Sequence, residues 1–67
     1  MDMQPVSSSN LEAVGYDPAT KELHVRFKSG STAQYFDVPE DVHQQLVSAP
    51  SVGKHYHQHI KGRFPRP

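Results

Sequence analysis

Leu23, Val25 and Phe27 alternate with His24, Arg26 and Lys28 across the stretch 22–28. That period of two fits an extended strand with one buried face. The residues after it fix how the chain returns. Lys28-Ser29-Gly30 suits a three-residue hairpin loop, because the loop's single left-handed position falls on Gly30, whereas a two-residue loop would also force Ser29 to positive φ. Thr32 to Val38 then reads as the returning strand. In this register Phe27 faces Ser31, Val25 faces Ala33 and Leu23 faces Tyr35. Tyr35 therefore joins the apolar face, and Gln34 and Phe36 lie outside with Arg26 and His24; a one-residue slip would exchange the two faces.

Upstream, Leu11 to Tyr16 reads as a further strand, stopped by Asp17-Pro18, where proline fixes φ and aspartate bonds its own backbone. Met1 to Asn10, with Ser7, Ser8 and Ser9, has no periodicity and is expected to be an irregular lead-in. Downstream, Pro39 with Glu40 and Asp41 opens a helix, since proline suits the first turn and acids complement the helix dipole. That helix runs to about Ser48 with Val42, Leu46 and Ala49 on one stripe, and Pro50 ends it. Ser51 caps a second helix to about Lys61, with Val52, Tyr56 and Ile60 at the spacing of a buried stripe and Gly62 as its stop. The expected fold is α+β: a three-stranded antiparallel β-meander followed by two short α-helices. It forms one domain over 1–67, with 1–8 and 65–67 as flexible ends. The expected core is Leu11 or Val14, then Leu23, Val25, Phe27, Tyr35, Val38, Val42, Leu46, Val52, Tyr56 and Ile60.

With 67 residues and no cysteine, stability must come from packing or association rather than from disulfides or a thiolate zinc site. A domain this short buries only about 60% of its unfolded surface. No run approaches the roughly 18 apolar residues of a membrane span, and the first residues lack a signal peptide's basic start and apolar stretch. A cytoplasmic protein with no membrane partner is the expectation.

Formal charge sums to zero, but unevenly. All seven acids precede residue 42 and leave the first 41 residues at −4, while four of the seven lysines and arginines and four of the five histidines follow. Such asymmetry hints at a basic face. Arg26, Lys28, Lys54, His57, Lys61 and Arg63 are the candidates for an RNA-contacting patch, joined by Arg66, with Phe36 as a stacking residue of the kind small RNA-binding sheets use. The same side chains also serve as ordinary solvated faces. A protein-interaction or self-association module is the alternative, because sheet edges and an exposed Phe36 or Phe64 offer anchors to a partner or a second copy.

Catalysis finds no support. Nucleophilic chemistry needs an oriented base, acid-base chemistry needs a concave pocket, and Gly15, Gly30, Gly53 and Gly62 are too scattered for a phosphate loop. His55-Tyr56-His57-Gln58-His59 places His55 and His59 at the spacing of zinc ligands, but the third ligand would have to come from afar, no Cys is available and no acid follows Asp41. No metal, no cofactor and no enzyme activity are expected. His59 is expected to border the core, with His55 and His57 solvated.

The order of these signatures resembles the KTSC domain family, found at the C-terminus of some lysyl-tRNA synthetases and as short bacterial proteins. The resemblance runs from Pro5 to Phe64 through Gly15-Tyr16-Asp17, Leu23-x-Val25-x-Phe27, Gly30, Tyr35-Phe36-x-Val38-Pro39, Ala49-x-Ser51-x-Gly53 and His59-Ile60-x-Gly62-x-Phe64. The family's central Tyr-x-Tyr stands here as Ala33-x-Tyr35, so half of any paired-tyrosine platform is missing. The resemblance implies no catalytic residue and no cofactor, and RNA binding has been suggested for the family.

Overall fold

The expected hairpin is present in the computed structural model, which describes residues 3–66 of the chain. Leu23 pairs with Tyr35 and Val25 with Ala33, the Phe27 N–H donates to the Ser31 carbonyl at 2.8 Å, and Gly30 takes φ +99°. The strands are β1 (Met3–Pro5), β2 (Leu11–Asp17), β3 (Glu22–Phe27) and β4 (Thr32–Tyr35). They form one antiparallel sheet in the order β1-β2-β3-β4.

The sheet thus has four strands among the described residues, not three. Met3 pairs with Gly15 and Pro5 with Ala13, inside the stretch expected to be irregular. Three residues ending in a proline give no periodicity to read. Pro5 is tolerated because β1 is an edge strand, and the next N–H, that of Val6, bonds the Glu12 carbonyl at 3.1 Å.

The choice between Leu11 and Val14 resolves in favour of both. A bulge between Leu11 and Ala13 leaves Glu12 exposed and shifts the side-chain alternation, so residues of opposite parity both face the core. At the far end of β2, the Asp17 Oδ1 accepts from the Ala19 N–H at 3.0 Å, the turn that Asp17-Pro18 predicts.

After β4, helix α1 (Glu40–Ser48) starts at Pro39 with Glu40 and Asp41 in its first turn. Helix α2 (Val52–His55) is capped by the Ser51 hydroxyl, which accepts from the Lys54 N–H at 3.4 Å. It then widens into a π-helical turn over Tyr56–Ile60, closed by the Lys61 N–H on the Tyr56 carbonyl at 2.9 Å. The sequence reads this span as plain α-helix; the wider turn still delivers Tyr56 and Ile60 to the core.

Helices cover one face of the sheet, burying Leu11, Val14, Leu23, Val25, Ala33, Tyr35, Val38, Leu46, Val52, Tyr56 and Ile60 together. Phe27 and Val42, expected inside, are half-buried at its margin. Tyr35 and Tyr56 satisfy each other's hydroxyls at 2.6 Å within the core. The tail returns along β4: the Phe36 N–H donates to the Pro65 carbonyl at 2.8 Å, Phe64 packs against the core, and the Arg66 guanidinium lies 5.5 Å from the Tyr35 ring centroid.

Candidate nucleic-acid interface

Folding gathers most of the acids at one end of the sheet. Asp17 pairs with Glu22 across the β2–β3 turn, and the Val38 N–H on the Lys21 carbonyl brings Asp37 to the same turn. Glu40 and Asp41 lie close enough to Tyr16 on β2 to raise its pKa, after the larger effect of burial. Five acids therefore gather at this end, accompanied by Lys21 and by Arg66 beside Tyr35. The opposite end carries the β3–β4 hairpin with Lys28, where His57 of the π-helical turn meets it, while Lys54 and Lys61 are exposed elsewhere along the same helical segment. Among the described residues, Glu12, at the bulge, is the acid nearest that end in the sheet register.

Phe27, Lys28 and Ser29 meet Ser9, Asn10 and His57 around a shallow recess at the basic end. The Phe27 ring stands edge-on to Tyr56, with centroids 5.4 Å apart and planes at 71°, which anchors one edge while the residue stays half-exposed. The Lys28 N–H donates to the Asn10 carbonyl at 2.9 Å, tying the hairpin to the segment before β2. An aromatic ring is thus held beside an ammonium and an imidazole. An accessible ring face beside a cation is what base stacking next to a phosphate uses.

The other sequence candidates divide. Lys54, His57 and Lys61 are exposed along the helical segment, and Arg63 follows just beyond it, its N–H on the Ile60 carbonyl at 3.0 Å. Arg26 lies on the other face of the sheet, opposite Thr32 and Ala13. Phe36 is half-buried beyond the end of β4, next to the acidic turn rather than the hairpin. Phe36 and the basic helix face are therefore not assembled into one site. The sequence did not mark Phe27 as part of this recess, because its place in the alternation reads as core. The available signal was its position as the last apolar residue before the loop, where a core thins.

The histidines also rearrange. His59 is exposed and His55 half-buried, the reverse of the expectation, because the stripe through Val52 and Tyr56 takes His55 closer to the core margin. Their rings lie 4.5 Å apart, and the His55 pKa is lowered, chiefly by burial and then by His59. No group of three His, Cys, Asp or Glu able to hold a metal occurs among the described residues. No helix among them is long and apolar enough to cross a membrane.

A family model for the KTSC domain matches residues 7–64. A protein of Tsukamurella paurometabola is 47% identical over 62 residues, covering 92% of each chain. A lysine–tRNA ligase of a Nostoc species is 45% identical over 56 residues, which is 84% of this chain and 10% of the ligase. Among solved structures, a crystal structure of a KTSC domain protein from Yersinia pestis superposes with a TM-score of 0.92 at 44% identity, covering 96% of this chain and 90% of that one.

Proposed function

This chain belongs to the KTSC domain family, and on that premise we propose that it is a non-catalytic module that binds single-stranded RNA weakly at its basic end. The observation that carries the reading is the partly buried Phe27 ring lining one recess with Lys28 and His57, at the end of the molecule away from five of its acids. Phe27 stacks one base, Lys28, Lys54 and Lys61 follow the phosphates, and His57 adds charge when protonated. Arg63 extends the track, while Arg26 and Phe36 stand outside it. The matching of the lysine–tRNA ligase over a tenth of its length is consistent with a module placed near RNA.

Titration with a short oligouridylate at several salt concentrations tests this. With three to four phosphates engaged, log K should fall against log salt with a slope of roughly −2 to −3, given about −0.7 per neutralised phosphate on single strands. Lys28→Glu should weaken binding and flatten the slope. Phe27→Leu should weaken it by about 1–2 kcal/mol at unchanged slope, because base–aromatic stacking contributes in that range. Binding that neither variant alters would refute the assignment. Self-association is the second reading, favoured by the opposite charges of the two ends; a concentration-dependent sedimentation coefficient that collapses in salt would support it.

A further inference from the structure

We propose that the groove between the β1–β2 edge and helix α1 is a binding site for a small organic ammonium ion with an apolar body. This site lies away from the RNA interface and does not depend on it.

The groove measures about 630 Å³, within the range of small-molecule sites. Val6, Val14, Val47 and Val52 supply apolar walls. Tyr16 and His43 form its aromatic side, their rings stacked at 4.8 Å and 9°. The Tyr16 hydroxyl donates to the Val38 carbonyl at 2.5 Å, so the ring is fixed and its donor already used. Among the groove's lining residues there is no lysine and no arginine.

The charges that bear on this groove are negative. Asp17, at the end of β2, and Glu40 and Asp41, in the first turn of the helix that carries His43, all act on Tyr16. His43 is held toward its neutral form, by burial and against the pull of Glu40, so at neutral pH it adds no cation of its own. Among the described residues, Lys21 and Arg66 are the cations near this end, and neither is part of the lining. Carboxylates adjoining Tyr16 bias the potential at that side of the cleft toward negative, and an ammonium near the Tyr16 ring gains a cation–π contribution. An anion of the same shape meets repulsion, and a neutral molecule gains only burial.

Amide-shift titrations of labelled protein with n-hexylammonium, 1-hexanol and hexanoate separate these cases. The ammonium should give saturable shifts centred on Tyr16, His43 and Val47, with hexanol about tenfold weaker and hexanoate weaker still. The double variant Glu40→Gln, Asp41→Asn, with its fold verified from its amide spectrum, should bind the ammonium about tenfold less tightly while its response to hexanol stays unchanged. Equal affinity for hexanol and hexylammonium would overturn the proposal. So would the absence of saturable shifts at those residues at tens of millimolar ligand, or a double variant that binds as the wild type does.

Discussion

Tyr35 and Tyr56 provide the sharpest test of how the core is held. Their hydroxyls lie 2.6 Å apart, Tyr35 is 0% and Tyr56 3% exposed, and no buried side-chain polar atom among the described residues lacks a partner. Burial, and then the Tyr35 hydrogen bond, raises the Tyr56 pKa. Replacing one tyrosine by phenylalanine strands the other hydroxyl away from water, at a cost of about 1–3 kcal/mol, whereas removing both can be nearly neutral. Tyr56→Phe should fall at the upper end of that range, because the hydroxyl it strands belongs to the fully buried Tyr35. Tyr35→Phe should cost less. The rings and their edge-on contact, with centroids 6.1 Å apart, survive both changes, as does the ring beneath Arg66. The double variant should therefore lie within about 1 kcal/mol of wild type, giving a coupling of roughly 2–3 kcal/mol. Urea unfolding followed by circular dichroism measures all four corners of the cycle. A single variant losing about 2 kcal/mol should also melt roughly 8–16 °C lower, since 1 kcal/mol corresponds to about 4–8 °C in a domain of this size. Additive losses would show that the two hydroxyls do not satisfy each other and that the helix packs differently on the sheet.

Ile60→Ala, at a fully buried position, should cost about 3 kcal/mol by urea denaturation, as large-to-small core changes do; a loss below about 1 kcal/mol would contradict the packing of the π-helical turn. Gly30→Ala should destabilise by about 1–2 kcal/mol from backbone strain alone, because φ is +99° and nothing lies within 4 Å of the added carbon. Gly53→Ala meets a contact instead, 2.9 Å from the Ser8 Oγ that accepts from the Asn10 and Leu11 N–H groups, and should lower the melting temperature by displacing the segment before β2. For pH, His43 has a folded pKa below its unfolded value of about 6.5. Its neutral form is thus favoured by folding, and the associated stability is present above that value and lost as pH falls through the folded pKa. Stability measured from pH 7.5 down to 5 should decline less in His43→Gln.

The central hairpin was legible because alternation at 23–28 and a glycine in the loop impose one register, and the helix limits followed from Pro39, Pro50 and Ser51. β1 was not legible. Its three residues hold their place through pairing with β2, an interaction with no local signature. The bulge at Glu12 escaped for a related reason: alternation assumes one residue opposite one residue, and the extra one is set by the partner strand. Charge segregation along the chain was visible, but whether it became segregation in space depended on which turns meet. Asp17 and Glu22 meet through the β2–β3 register, and Asp37 joins them only because the Lys21 carbonyl accepts from the Val38 N–H. For the site, Lys28 and His57 were legible as basic residues, while Phe27 was read as pure core. Half-burial at a hairpin end is a property of where the helix stops covering the sheet, which the sequence does not state.

The most direct test of the account is an amide-shift titration of labelled protein with short single-stranded RNA, first at low salt and then at moderate salt. The account predicts shifts confined to Asn10, Phe27 to Ser29, Lys54, His57 and Lys61 that fade as salt rises, with the acidic turn around Asp17 and Asp37 unmoved. Shifts centred on Arg26 and Phe36 on the other face of the sheet, or none at low salt, would contradict it.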